Sequence, residues 1–154
     1  MSDKIFKYTT VFFAITSIIL LTAIIYITKP DGDLDKIKSA SKDFAFYYTN
    51  YDYTKAQDYY DNMIYLTTDQ LQSDFKQQDN ATNIKIMKQM EVSSSSDIND
   101  IIFTKVNSYT AKAVAFLTVR TKSKGNDTRE SKAVLYMFLK KVNGTWKVST
   151  LEPY

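Results

Sequence analysis

The chain lacks both cysteine and histidine, and it has only three glycines and two prolines among its 154 residues. Without cysteine it can form neither disulfides nor thiolate metal sites. Without histidine it lacks the commonest general base and the usual partner of a serine or cysteine nucleophile. The scattered glycines form no phosphate-binding loop. The aspartates that crowd one stretch, Asp52, Asp58 and Asp61, share a strongly polar face and are best explained as solvated. We therefore expect no enzyme, no metal and no cofactor.

Charge is absent from one long segment near the start of the chain. Tyr8–Thr28 is a run of 21 uncharged residues rich in Ile, Leu, Val, Phe and Ala. At about 1.5 Å per residue a helix of this length measures roughly 31 Å, enough for the hydrocarbon core of a bilayer. A cleaved signal peptide would end in small residues, whereas this run ends in the bulky Ile24–Thr28, and a core helix would show a polar face. The run predicts a transmembrane signal anchor.

The charges that flank this run indicate its orientation. Lys4 and Lys7 precede it, whereas Lys29 on the other side is followed at once by the acidic Asp31 and Asp33. The balance of basic residues favours a cytoplasmic amino terminus. We predict a cytoplasmic tail at 1–7, a membrane helix at 8–28, a linker at 29–33 and one extracytoplasmic domain at 34–154.

The first half of this domain has helical periodicity. Apolar residues recur at helical spacing through Lys36–Thr49, with Asp33 as a plausible N-cap, and again through Thr54–Leu66. Thr67–Leu71 indicates a third helix start, which carries Leu71 and Phe75 inward. We expect this helix to fray in the polar segment Gln77–Asn83.

The second half has the period of strands. Ile84–Val92 suggests a strand, although Lys85–Gln89 also fits a helix, and Ser93–Asp100 has the composition of a loop. Gly125-Asn126 marks one hairpin connection and Asn143-Gly144 a tight turn. The better strand candidates are Ile101–Val106, Thr110–Thr121, Ser131–Val142 and Thr145–Leu151. Helices followed by antiparallel strands predict an α+β fold with the helices on one face of the sheet.

The two faces of the predicted sheet differ from the usual apolar and polar pair. One face of Thr110–Thr121 carries small apolar residues such as Ala111 and Ala113, which allow a helix to pack closely. Ser131–Lys141 is apolar on both faces. A second apolar face has to be covered by a pocket, by a curl of the sheet or by another protein. The sequence leaves a curl and a partner equally open.

Aromatic residues supply the candidate contact residues. Seven of the twelve tyrosines lie between Tyr47 and Tyr65, where they can pack helices on the sheet or offer a partner surface. Trp146, the only tryptophan, begins the last strand and fits a core plug better than a ligand-stacking residue. The candidate partner surface is Tyr51, Tyr53, Phe116, Tyr136 and Phe138. The candidate pocket lining is Tyr48, Tyr60 and Trp146.

Charge is divided along the chain. Asp31–Asn83 has ten acidic and five basic residues, whereas Ile84–Tyr154 has six acidic and twelve basic residues. The division is explained by a solvated surface, or by oriented docking in an oligomer or complex. A candidate basic contact patch surrounds one hairpin and suits anionic lipid, cell-wall polymer or simple solubility. Its residues are Arg120, Lys122, Lys124 and Arg129. The patch has no interleaved aromatics, so we expect no nucleic-acid binding.

The closing segment Val142–Glu152, with Gly144-x-Trp146-x-Val148, resembles the membrane-anchored branches of the nuclear-transport-factor-2-like superfamily. Leu66-Thr67-Thr68-Asp69, followed by Phe75, is similar to their second helical region, and the resemblance covers Leu34 to Leu151. The two similar branches are the inner-membrane assembly component of type IV secretion and conjugation systems, and the Mce-associated proteins. The resemblance implies two to three helices on a curved antiparallel sheet around a cone-shaped pocket.

The anchor, the element order and the two-faced sheet lead to one leading hypothesis. It is a non-enzymatic scaffold of a conjugation or type IV secretion complex in the membrane of a Gram-positive bacterium, with envelope subunits and further copies of itself as partners. The alternative is an extracytoplasmic domain that binds a lipid or other apolar ligand in the cone. An enzyme of the isomerase or dehydratase type would need a buried acid in that pocket, and the inward strand positions supply only Ala, Leu, Val and Met.

Overall fold

The computed structural model describes residues 16–20, 31–77 and 80–153. The chain divides into two compact units, Met1–Gly32 and Asp33–Tyr154. In the first unit residues 16–20 are helical. No helix within the described residues is long and apolar enough to span a membrane. The predicted tail 1–7 and most of the predicted span 8–28 and linker 29–33 lie outside the described residues.

The helices come first in the second unit, as predicted. Within its described residues they are α1 at Gly32–Thr49, a 3₁₀ turn at Tyr53–Lys55, α2 at Ala56–Leu66, α3 at Asp69–Gln77 and α4 at Asn80–Gln89. α1 buries Ile37, Ser41, Phe44 and Ala45, which recur at the spacing of one helical face. The third predicted helix is confirmed, and Leu71 and Phe75 pack against the core as expected.

Two predictions for the segment after α3 are wrong. The helix was expected to fray through Gln77–Asn83, whereas the chain begins α4 at Asn80. A strand was expected at Ile84–Val92, whereas the helical alternative is confirmed. A strand would have placed Ile84 and Ile86 on one inward face. In the structure Ile84 and Met87 are half-buried and Ile86 is exposed, which is the pattern of a helix.

The sheet has four antiparallel strands in the order β1-β2-β3-β4, so the predicted α+β class is confirmed. The strands are β1 at Ser93–Lys105, β2 at Thr110–Lys122, β3 at Arg129–Val142 and β4 at Thr145–Pro153. Register shifts interrupt the ladders between Ile98 and Asp100 and between Phe138 and Leu139. Asn143 and Gly144 have φ values of 49° and 81°, as the predicted tight turn requires.

The loop predicted for Ser93–Asp100 is wrong, because these residues form the first half of β1. Their composition is poor in strand-forming residues, but Ser93–Ile98 pair with Leu117–Lys122 of β2, and Asp100 pairs with Phe116 after the register shift. The Ser96 side chain also contacts Thr49 Oγ1 at 2.6 Å, and its amide donates to Asn50 Oδ1 at 3.0 Å. Tertiary pairing outweighs local propensity here.

The core lies between the helices and one face of the sheet. The helices contribute Ile37, Phe44 and Met63, each fully buried. The sheet contributes the predicted small apolar row of β2 and the matching row of β3, closed by Trp146 and Val148 of β4. The sheet residues of this core are Ala111, Ala113, Ala115, Leu117, Leu135, Met137, Leu139, Trp146 and Val148. The role of Trp146 as a core plug is confirmed.

Candidate functional site

The second apolar face of the sheet, which points away from the helices, is one candidate surface. Val114 lies opposite Tyr136, and Phe116 lies opposite Val134. Because alternate residues of a strand share a face, these side chains form one continuous surface. We call it the outer-face patch, and it consists of Ile102, Val114, Phe116, Val134, Tyr136 and Phe138.

This patch is accessible in the described domain. Phe116 is 38% exposed, Tyr136 41% and Ile102 59%. Lys112 lies at its margin, with its Nζ 5.3 Å from the ring centre of Phe138. The sheet therefore does not curl far enough to cover its own second face. Three residues of the predicted partner surface, Phe116, Tyr136 and Phe138, come together here.

The other two residues of that prediction lie elsewhere. Tyr51 pairs with Ser94 through two backbone hydrogen bonds of 2.8 and 3.0 Å, and its ring meets Tyr59 edge-on at 5.3 Å. Tyr53 lies in the 3₁₀ turn, beside the β2–β3 hairpin. The structure thus divides the five predicted residues among three places.

Tyr51 belongs to a second candidate surface, a cleft of about 700 Å³. The cleft lies where the end of α1, the segment after it, α2 and the first residues of β1 meet. We call it the end cleft, and its lining includes Phe46, Tyr47, Tyr51, Tyr59, Asn62 and Arg120. Sequence reasoning missed it, because its helical wall and its strand wall come from segments about 30 or more residues apart in the chain.

The predicted basic contact patch is partly neutralised. Arg120 lies 2.8 Å from Asp97 and 2.9 Å from Glu130, and these carboxylates raise the pKa of its guanidinium. Lys124 donates to Glu91 at 2.6 Å, which raises the pKa of that ammonium group. The remaining cations, Lys122 and Arg129, lie at the adjacent ends of β2 and β3.

The predicted pocket residues are packed, and they do not line the end cleft. Trp146 and Tyr60 are buried, and Tyr48 stacks on Phe44 with ring centres 5.7 Å apart. Burial raises the pKa of the Tyr48, Tyr59 and Tyr60 hydroxyls. For these tyrosines the packing role is confirmed.

Asp33 forms a cluster that the sequence did not predict. The residue lies in the first turn of α1, not at an N-cap before the helix. Lys141 Nζ donates to its carboxylate at 2.7 Å, Lys105 Nζ lies 3.1 Å away, and Trp146 Nε1 donates at 3.4 Å. The hydrogen bonds from Lys141 and Lys105 lower its pKa from 3.8 to about 2. The cluster fastens the start of α1 to three strands.

Replacing Asp33 by asparagine is expected to change how stability depends on pH. Because the folded-state pKa is lowered, the ionised carboxylate stabilises the fold above pH 4, and this contribution is lost as the pH falls toward 2. Asp33→Asn should unfold at lower urea concentration than the unaltered chain at pH 6, and the difference should shrink by pH 3. Asp35→Asn, an exposed change in the same turn, is the matched control. A difference that stayed constant with pH would contradict the assignment.

In the described residues, no group of three or more acidic, histidine or cysteine residues is placed to hold a metal ion. The two candidate surfaces differ in chemistry: the outer-face patch is apolar and open, whereas the end cleft is aromatic and polar.

Comparison with known proteins gives a likeness of structure. No family model and no curated protein sequence matches the chain. An IcmL-like type IV secretion system protein from Legionella pneumophila matches with a TM-score of 0.63 at 9% identity, over 81% of this chain and 93% of that one. A TrwG component of a type IV secretion system from Bartonella birtlesii matches with a TM-score of 0.60 at 13% identity, over 82% and 94%.

A third solved structure has the same arrangement. CagV, a VirB8 homologue from Helicobacter pylori, matches with a TM-score of 0.59 at 17% identity, over 77% of this chain and 96% of that one. Sequence identities this low establish a shared fold and not a shared function. The predicted resemblance is thus confirmed in its structural content: the described domain has the fold shared by VirB8-like and IcmL-like type IV secretion proteins.

Proposed function

We propose that this chain is a non-enzymatic assembly subunit of a type IV secretion or conjugation complex, held at the cell membrane by its N-terminal segment. The single observation that carries the proposal is an exposed apolar sheet face on a domain with the fold of secretion-complex proteins. A scaffold needs a stable surface for neighbouring subunits and no reaction centre. The outer-face patch meets the first need, and the absence of histidine and cysteine agrees with the second.

The membrane part of the proposal rests on sequence. Tyr8–Thr28 has the length and apolarity of a single span, and the flanking lysines favour an amino terminus inside the cell. The domain would then lie outside the cytoplasm. Tethering would raise its local concentration for neighbouring subunits, which strengthens weak contacts without any new interaction.

The outer-face patch is the proposed surface for a neighbouring protein subunit. Aromatic side chains dominate the binding energy of protein interfaces, because each buries a large area at a small cost in rotamer entropy. Phe116 and Tyr136 lie near the centre of the patch, on its two middle strands. Lys112 and Lys132 lie on the same face, so a partner with acidic side chains around an apolar centre would fit best. Tyr53 and the basic cluster of Arg120, Lys122, Lys124 and Arg129 stay secondary contact candidates.

The alternative, an apolar ligand held in a cone between helices and sheet, has less support. Phe44, Met63 and Trp146 fill the space between these layers and are at most 4% exposed. In a core packed in this way the side chains contact one another, which leaves little room for a ligand between the helices and the sheet.

A photo-crosslinking amino acid at position 136 would test the assembly role in the native host. With the full chain in living cells, we expect crosslinks to a second copy or to an envelope subunit of the secretion complex, identified by mass spectrometry of the adduct. Deletion of the gene should abolish substrate transfer, and the unaltered gene should restore it.

The matched control carries the same crosslinker at Tyr65, an exposed tyrosine on α2 in the helical layer. It should give a different adduct pattern or none. Equal adducts from both positions, or normal transfer in the deletion strain, would count against the proposal.

A further inference from the structure

We propose that the end cleft is a binding site for an uncharged oligosaccharide. Its volume of about 700 Å³ falls within the roughly 300–1,000 Å³ usual for small-ligand sites. The inference concerns a different surface from the outer-face patch. It holds whether or not the chain is a secretion subunit.

Aromatic side chains form the apolar part of the cleft. Tyr47 is 37% exposed and Phe46 is 46% exposed, although both lie on a helix whose other face is the core. Their rings meet edge-on at 5.4 Å, and Tyr51 meets Tyr59 in the same way across the cleft lining. A sugar ring presents C–H groups on its faces and hydroxyls around its rim. Tyrosine suits it, because the ring offers an apolar face and the hydroxyl a hydrogen bond.

Polar groups without a partner in the described residues line the same cleft. The amide of Asn62 and the carboxylate of Asp58 lie on α2, next to the aromatic wall. No hydrogen bond or ion pair from either side chain is formed with the described residues. A carboxylate accepts hydrogen bonds, whereas an amide both donates and accepts, and sugar hydroxyls do the same. The cleft therefore offers the groups that a polyhydroxylated ligand requires.

The charges around the cleft oppose one another. The lining includes the acidic Asp52 and Asp58 and the basic Lys55 and Lys122, and its fifth charged residue, Arg120, is already paired with Asp97 and Glu130. Two acidic and two basic residues cancel, so the cleft offers an anion or a cation little net Coulomb attraction to offset the loss of its hydration. A neutral ligand does not need that attraction. The charge pattern thus selects an uncharged polar molecule over a phosphate or a carboxylate.

The walls of the cleft are fixed in place by the fold. The backbone of Tyr51 pairs with Ser94, and Asn50 donates through its amide to Ser96 Oγ at 2.7 Å. These bonds join the end of α1 to the edge strand β1. A site held in this way loses little conformational freedom when it binds, which favours affinity.

Saturation-transfer NMR with the full chain tests the proposal. The probes are chitotetraose, cellotetraose and maltotetraose, with octanoate as an apolar probe. We expect at least one tetrasaccharide to bind and octanoate not to bind. Tyr47→Ala should raise the dissociation constant of that sugar by about tenfold, as loss of an aromatic contact does, and Asn62→Ala should also raise it.

Tyr65→Ala is the matched control, because it removes an exposed tyrosine that lies outside the cleft lining. It should leave the dissociation constant unchanged, and Trp146 fluorescence should confirm that all variants are folded. The proposal is overturned if no tetrasaccharide binds, if Tyr47→Ala and Tyr65→Ala behave alike, or if octanoate binds in preference to the sugars.

Discussion

Replacing Phe44 by alanine is expected to lower the free energy of unfolding by about 3–5 kcal/mol. Phe44 is fully buried in the middle of α1, and it packs both in the core cluster and against the ring of Tyr48. The truncation removes a large apolar side chain and leaves a cavity between α1 and the sheet. The backbone hydrogen bonds of the helix and of the sheet hold these two layers in place, so they cannot move together to fill it. A domain of this size is stabilised by about 5–15 kcal/mol in total, so the loss is a large fraction of it.

Urea unfolding of the full chain, followed by Trp146 fluorescence, measures this effect. Trp146 is the only tryptophan and is buried in the same core, so its emission reports on this domain. Phe46→Ala is the matched control, because Phe46 is two residues away on the same helix and 46% exposed. It should cost about 1 kcal/mol or less. Similar losses from both changes would mean that Phe44 is not a core residue.

Replacing Phe116 and Tyr136 together by threonine is expected to weaken the binding of the neighbouring subunit at least about thirtyfold. A central aromatic residue of an interface contributes about 2 kcal/mol or more when truncated, which is about thirtyfold in affinity because 1.4 kcal/mol is about tenfold. Such losses are not additive, so the loss from one of the two residues sets the lower bound. Threonine retains the β-branched preference for a strand, so the sheet should survive the change. The apolar area offered to the partner falls, but the core face of the sheet is untouched.

Co-purification from native membranes, quantified against the unaltered chain, measures this loss. Tyr109→Thr is the matched control: Tyr109 is 70% exposed in the β1–β2 turn, and the hydrogen bond that its carbonyl accepts from Lys141 N does not depend on the side chain. Its replacement should leave co-purification unchanged. Urea unfolding of the double variant should remain a single transition, with a loss of about 2 kcal/mol or less in the free energy of unfolding. Unchanged co-purification of a stable double variant would remove the outer-face patch from the assembly.

Both predictions depend on features that the sequence already indicated. Alternation along Thr110–Thr121 and Ser131–Val142 identified the core row and the second apolar face, because strand side chains point to opposite faces in turn. The Asn143-Gly144 turn followed from residues that accept positive φ. In α1 the helical spacing of apolar residues through Lys36–Thr49 indicated a helix with one buried face. Each of these signals is local.

Other features depend on contacts between distant residues, and the local sequence pattern either predicted them wrongly or did not predict them. Ser93–Asp100 has the composition of a loop and became a strand, since β2 and the Asn50 side chain supply its hydrogen bonds. Asp33 suited a helix cap, but Lys141 binds it across 108 residues of chain. The end cleft needs Tyr51 and Ser94 to meet, which no local pattern encodes.

The amino-acid sequence by itself determined that helices precede antiparallel strands, the two apolar faces of the sheet, the uncharged N-terminal run and the absence of histidine and cysteine chemistry. Periodicity and composition suffice for these, because they depend on residues a few positions apart. The tertiary structure alone decided which aromatic residues stay exposed, which charges are paired and where a cleft opens. Those outcomes depend on contacts between distant segments, whose geometry is fixed only when the sheet is assembled on the helices.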